Sequence, residues 1–214
     1  MRGLFITFEG GEGCGKSTQA KRLVAELERH SHRVTLAYEP GGTALGDELR
    51  RSLKRARDGG VTAEAELLLF AAARSQLTAT VLLPALERGD IVICDRYADS
   101  TTAYQGYGRG LPLTTVAAVN AIATRGLCPD LTVLLDMDPT HALQRKGRAR
   151  DRFEHESPEF HERVRNGYLA LARETPDRWL VLDAAGSPAA TAQSIWARVY
   201  ALVSSHADRG HRSV

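Results

Sequence analysis

An apolar run, Leu4-Phe5-Ile6-Thr7-Phe8, leads into Gly10-Gly11-Glu12-Gly13-Cys14-Gly15-Lys16-Ser17, and the chain leaves as a helical pattern of Ala20, Leu23, Val24 and Leu27. The octet fits G-x-x-x-x-G-K-[ST]. A strand, a glycine-rich loop and a helix in that order build a cradle for phosphates. Glycine tolerates backbone conformations that a Cβ forbids, so successive N–H groups can turn inward, with the positive end of the helix behind them. In that frame Lys16 reaches the β and γ phosphates and the Ser17 hydroxyl ligates Mg²⁺. Residues 10–18, closing with Thr18, form the expected phosphate-binding stretch. Lysine occurs elsewhere only at 21, 54 and 146, so Lys16 is not one of many surface lysines. The bland alternative, a flexible glycine turn, does not account for the flanking strand and helix patterns.

Downstream, apolar runs alternate with helical patterns. Strands are expected at 3–8, 33–37, 90–94, 131–136 and 179–182, and helices at 16–30, 44–57, 63–88, 114–125, 139–146, 159–174 and 188–204. Runs such as Ile91-Val92-Ile93-Cys94 suit strands buried on both faces of a parallel sheet. The expected fold is therefore α/β: a three-layer sandwich of the P-loop NTPase type, with a five-stranded parallel sheet flanked by helices. At 214 residues and 43% hydrophobic content, one domain over 1–204 is the natural reading, with 205–214 a polar, flexible tail. Pro84 is expected to kink the helix at 63–88. A formal charge of +2 without a basic stripe argues against nucleic acid as a partner. Cys14, Cys94 and Cys128 lack metal-ligand spacing and suit a reducing, cytoplasmic setting. No signal peptide and no apolar run of membrane-spanning length are expected.

Ligands of such sheets bind beyond the carboxyl ends of the strands, and the unusual residues fall there. Asp95-Arg96-Tyr97 follows the strand at 90–94. Asp95 at a strand end beside the loop can hold Mg²⁺ through water, and the forked guanidinium of Arg96 suits a phosphate. No N-K-x-D pattern for guanine is present. Phe70 and Arg74 stand four apart on one helical face, so a ring and a donor can meet a base there; a core Phe beside a surface Arg is the plain alternative. Glu39-Pro40-Gly41-Gly42-Thr43, with Arg50 on the following helix, reads equally as a capped turn. Ser100-Thr101-Thr102-Ala103-Tyr104-Gln105-Gly106 offers hydroxyls, a phenol and an amide, and reads alone as a polar loop entering a short helix.

In this order, Phe8-Glu9 with the octet and Thr18, Glu39 to Thr43, Leu68-Leu69-Phe70-Ala71-Ala72-Ala73-Arg74, Asp95 to Ser100, Ala103-Tyr104-Gln105-Gly106 and Asp151-Arg152-Phe153-Glu154 resemble the bacterial thymidylate kinase family over roughly 3–200. The resemblance implies transfer of the ATP γ-phosphoryl group to dTMP, with Mg²⁺, in a homodimer formed through the helix at 63–88 and its neighbours. It implies that Phe70 stacks on thymine, Arg74 bonds its O4, and Thr101 and Gln105 lie near the base. Tyr104 crowds the sugar 2′ position, and Arg50 and Arg96 grip the acceptor phosphate. Glu39 and Ser100 join the dTMP site, and Glu12 sits near the acceptor. Two departures stand out: Tyr38 where many relatives carry Arg before Glu-Pro-Gly-Gly-Thr, and Gln76-Leu77 where a His often follows.

Arg145-Lys146-Gly147-Arg148-Ala149-Arg150-Asp151-Arg152 carries five cations in eight residues. In a P-loop kinase this reads as a lid, about 145–156, and otherwise as a solvated basic helix end. The loop positions 11–14 hold no cation, so the charge developed on the transferred group is expected to be met by Arg148, Arg150 or Arg152, alongside Lys16, Arg96 and Glu12. Adenine is expected between the lid helix and Asp183-Ala184-Ala185. Two other readings stay open: a kinase for another pyrimidine monophosphate or a deoxynucleoside, and a non-catalytic nucleotide-binding module.

Overall fold

The computed structural model describes residues 2–55, 60–145 and 152–211. Five strands, β1 (Phe5–Glu9), β2 (Val34–Tyr38), β3 (Ile91–Asp95), β4 (Leu131–Asp136) and β5 (Trp179–Asp183), form one sheet in the order β2-β3-β1-β4-β5. Every pairing is parallel. The three inner strands are buried almost throughout, as both-face coverage requires, whereas β2 and β5 at the edges are partly exposed. Phe8 is level with Asp95 and Glu9 with Leu134, so β1 and β3 end within a residue of each other and β4 runs two residues further. The chain reverses its order about β1, and the crevice there is where ligands bind in such sheets.

Side chains alternate across β1. Ile6 and Phe8 face a core shared with α1 (Lys16–Arg29) and α9 (Pro188–His211), through Leu23, Leu27, Ile195 and Val199. Phe5 faces the opposite core, with Leu77, Leu82, Leu86 and Val92. The stripe Ala20, Leu23 and Leu27 is what commits α1 to the sheet. A third cluster, Tyr104, Phe153, Phe160 and Tyr168, lies beside the crevice.

Three stretches depart from the sequence reading. The helix expected at 63–88 is α3 (Ala63–Leu77), a π-helical turn (Thr78–Leu82) and α4 (Leu83–Glu87). Pro84 lacks an N–H and its ring excludes the carbonyl four residues back. The wider turn, with Leu83 N–H reaching Thr78 O, absorbs the mismatch just before it. Together these form 25 helical residues, Ala63–Glu87, long and apolar enough by length and composition alone to cross a membrane and one-third buried over their most apolar window, which corrects the expectation that no such run exists. Their contacts with α2 (Ala44–Arg55) and α6 (Leu113–Thr124), and the buried charges of Glu66 and Arg74, are those of a helix within this fold.

Second, the polar loop expected at 100–106 is helical, as α5 (Ala98–Thr101) running into a π-helix (Thr102–Gly108). Third, α9 continues to His211 through much of the stretch read as a flexible tail. Around the stretch 145–156, read from sequence as a lid, the described parts are α7 (Pro139–Arg145), a 3₁₀ turn (Arg152–His155) and α8 (Pro158–Glu174); a second 3₁₀ turn (Pro176–Arg178) precedes β5.

Candidate active site

The loop between β1 and α1 is shaped by close approach. Gly10 (φ 136°) and Gly13 (φ 74°) adopt conformations that favour glycine. A Cβ on Gly10 would lie 2.5 Å from Leu135 O, and one on Gly13 would lie 2.3 Å from Ala142 O. The loop is therefore seated on the end of β4 and on α7. Lys16 is 7% exposed and donates to Gly10 O (3.1 Å) and Gly11 O (2.5 Å), which draws its ammonium over the loop. Cys14 is buried, with its thiol donating to Gly11 O at 3.1 Å, the role of a small loop filler. The Ser17 hydroxyl donates to the Asp95 carboxylate at the end of β3. A hydroxyl and a carboxylate converging from two elements are hard oxygen donors that fit Mg²⁺. No group of three or more His, Cys, Asp or Glu that could hold a metal occurs among the described residues.

From this loop a cleft of about 720 Å³ continues to a second, aromatic end. Its walls include Lys16, Ser17, Asp95 and Arg96, then Tyr38, Glu39, Arg50, Phe70, Arg74, Ser100, Thr101, Tyr104, Gln105 and Phe153. Sequence-distant candidates thus meet on one surface, of a size suited to small-molecule ligands.

Arg96 stands between the two ends. Its backbone is left-handed (φ 72°), an uncommon conformation for a side-chain-bearing residue, and its N–H donates to Phe8 O at 3.0 Å. One guanidinium nitrogen donates to Gly10 O (3.0 Å), Ser100 Oγ (3.2 Å) and Tyr168 OH (3.2 Å); the other pairs with Glu12 and donates to Tyr104 OH (3.1 Å). The guanidinium carbon lies 5.0 Å above the Tyr104 ring. Arg50 donates to Pro40 O (2.8 Å) and lies 5.5 Å over Tyr38, whose hydroxyl donates to Asp47 (2.9 Å). Tyr38, where an arginine was expected by resemblance, here supports one.

At the far end Arg74 is 1% exposed. Its donors go to Glu39 (2.8 and 2.6 Å), Thr101 Oγ1 (2.8 Å), Asn120 Oδ1 (2.9 Å) and Tyr97 O (3.1 Å). Four hydrogen bonds and the ion pair with Glu39 thus engage all three guanidinium nitrogens. Burial pushes the Glu39 carboxyl up, against the pull of the Arg74 charge. Phe70 is half-buried, with its ring 5.8 Å from that of Phe153. The Gln105 amide donates to buried Glu66 (2.7 Å), which also receives Arg109 (3.1 Å).

Arg148 and Arg150 lie outside the described residues, and Arg152 is described only as the start of a 3₁₀ turn. Asp183, Ala184 and Ala185, expected near adenine, do not line the cleft. Sequence reasoning missed Glu9, fully buried and bonded to Tyr97 N–H, Ser100 and Tyr168, although a carboxylate closing an apolar strand was a visible signal. Glu66 in an apolar helix was a similar signal. Nothing local marks Tyr168 or Asn120.

A family model described as thymidylate kinase matches residues 8–195. A thymidylate kinase from Dehalococcoides mccartyi is 53% identical over 201 residues, covering 94% of this chain and 97% of that protein. One from Deinococcus radiodurans is 50% identical over 214 residues, covering 98% and 99%. The crystal structure of thymidylate kinase from Ehrlichia chaffeensis superposes with a TM-score of 0.71 at 36% identity, over 85% of this chain and 93% of that one. With these matches over nearly its whole length, and with a glycine loop, strand-end aspartate and aromatic end that share one cleft, the chain belongs to the thymidylate kinase family.

Proposed function

We propose that the cleft transfers the γ-phosphoryl group of ATP to dTMP, giving dTDP and ADP, with the ATP phosphates on residues 10–18 and dTMP at the aromatic end. The observation that carries this reading is the continuity of the cleft from Lys16, Ser17 and Asp95 to Phe70, Arg74 and Tyr104. Family membership supports the reaction; the roles of the cleft residues are supported by its geometry, and those of Arg148, Arg150 and Arg152 by the sequence alone.

Backbone N–H groups of the loop and Lys16 hold the donor phosphates. Ser17 and Asp95 would hold Mg²⁺, which supplies charge neutralisation and alignment of the phosphates. Arg96 and Arg50 orient the acceptor phosphate. The attacking oxygen is already anionic, so no general base is required and catalysis rests on alignment and charge. Glu12, paired with Arg96 and accepting from Tyr104 OH (3.2 Å), sets the acceptor side of the reacting region. Phe70 offers a ring for stacking, Thr101 and Gln105 line the base end, and the buried Tyr104 limits room at the sugar. Arg148, Arg150 and Arg152 supply positive charge to the transferred group, and lid closure excludes water.

The protein works as a homodimer in the cytoplasm, without nucleic acid or membrane, as one domain. Leu68 on α3 and Ile122 on α6 are 59% and 78% exposed, and the two helices adjoin, which supports association through that side. Coupled-assay phosphorylation of dTMP well above dUMP, dCMP and UMP is expected. A flat profile across these acceptors would overturn the reading.

A further inference from the structure

Glu9 ends β1 one residue before the phosphate loop and is fully buried, yet no step above uses it. Its Oε1 accepts Tyr97 N–H (2.7 Å) and its Oε2 accepts Ser100 Oγ (2.5 Å) and Tyr168 OH (3.1 Å). The two hydroxyls are 2.8 Å from each other, and each is 3.2 Å from the same Arg96 nitrogen. A hydroxyl carries one proton. The Ser100 proton goes to the carboxylate, and the Tyr168 proton goes to the carboxylate or to Ser100. Neither is left pointing at Arg96, so both oxygens present lone pairs to the guanidinium.

We infer that Glu9 is a positioning residue for the acceptor phosphate: its ionised carboxylate orients the Ser100 and Tyr168 hydroxyls as acceptors that aim Arg96. The inference rests on the reading above that Arg96 grips that phosphate. A neutral group at position 9 no longer fixes the pattern. An acid proton or an amide N–H is itself donated to a hydroxyl, whose own proton is then free to turn to the other hydroxyl or toward Arg96, where donor meets donor.

The surroundings make this protonation reachable. Burial first, then the charge of Asp99 on α5, hold the Glu9 carboxyl up at about 7, against the Ser100 bond, the charge of Arg96 and the Tyr97 N–H. Also facing it are Arg74 from α3, Cys94 from β3, Tyr168 from α8 and Arg178 before β5. Arg178 holds Asp99 through two bonds of 2.7 and 3.0 Å.

The test is steady-state kinetics on the full chain from pH 5.5 to 8.5, wild type against Glu9→Gln. At pH 8 the variant should raise KM for dTMP about tenfold, the scale of one hydrogen bond to a charged group, with KM for ATP within about twofold. In the wild type, kcat/KM for dTMP should fall along two limbs: one near pH 7 from Glu9, and one near about pH 6 from the second ionisation of the dTMP phosphate. The variant should keep only the lower limb. An unchanged KM for dTMP, equal rises in both KM values, or a surviving upper limb overturns the inference. If Glu9→Gln does not fold, Tyr168→Phe decides: removing one acceptor should raise KM for dTMP about threefold with KM for ATP held, and no change overturns the inference. A wild type that does not phosphorylate dTMP would instead break the activity reading.

Discussion

The two ends of the cleft are built from different materials. At the donor end the shape is in the backbone: glycines at 10 and 13, carbonyls that receive Lys16, and a helix start. At the acceptor end it is in side chains from α3, α5, the Thr102–Gly108 helix and α8, most of them buried and joined by charge: Arg74 with Glu39, Arg96 with Glu12, Glu66 with Gln105 and Arg109. A backbone cradle suits any nucleotide phosphate. A side-chain lattice fixes one acceptor, and its charges hold the fold together at the same time. Changes to side chains at the donor end should therefore cost rate, and changes to side chains at the acceptor end should cost stability as well.

The largest effect expected falls on the lid. Replacing Arg148, Arg150 and Arg152 together with glutamine should lower kcat by about 10³–10⁵ while the ATP dissociation constant stays within about threefold. A matching loss of ATP affinity would place those charges in binding and blur the comparison. Next is Arg74→Met. It strands the Glu39 carboxylate in the interior, so thermal unfolding should show a loss of about 3–5 kcal/mol, partly restored by adding Glu39→Gln. If Arg74→Met costs dTMP affinity but no stability, the acceptor end is no lattice.

Gly13→Ala should cost about 1–3 kcal/mol in stability, since a Cβ there meets Ala142 O at 2.3 Å and the backbone is left-handed. KM for ATP should rise with it and KM for dTMP should not. A pH effect is expected at Glu9. Its folded value of about 7 lies above the ordinary 4.5, so between those values the native protein keeps a proton that the unfolded chain releases. That contribution to stability is present below about pH 4.5 and is lost as pH rises through 7. The melting temperature of Glu9→Gln relative to wild type should therefore climb from pH 5 to pH 8; a difference independent of pH would contradict the shift. Last, Leu68→Glu with Ile122→Glu should yield monomers by light scattering with little change in melting temperature.

What the sequence disclosed follows the same division. The strands and the donor loop were legible because sheet burial and glycine spacing are local patterns, and the alternation of strands with helices implied that the sheet is parallel, though not its strand order. Phe70 and Arg74 were legible as a pair but not as a lattice, since Glu39, Thr101 and Asn120 reach Arg74 only through the fold. Tyr168, on a helix 159 residues from Glu9, has no local signature at all. The π-helical stretch Thr102–Gly108 escaped because hydroxyl- and glycine-rich composition reads as loop, while burial of Ala103, Tyr104, Gln105 and Gly106 is what keeps it helical.

One peptide unit joins the two materials. The Gly10 carbonyl accepts from Lys16 (3.1 Å) and from Arg96 (3.0 Å), one cation from each end of the cleft. Losing either partner frees a lone pair for the other and lets the peptide plane tilt. Substitutions at positions 16 and 96 should therefore show epistasis, the effect of each depending on the allele at the other. A lineage that alters its grip on the donor would inherit an altered grip on the acceptor, and the two specificities would evolve as one trait.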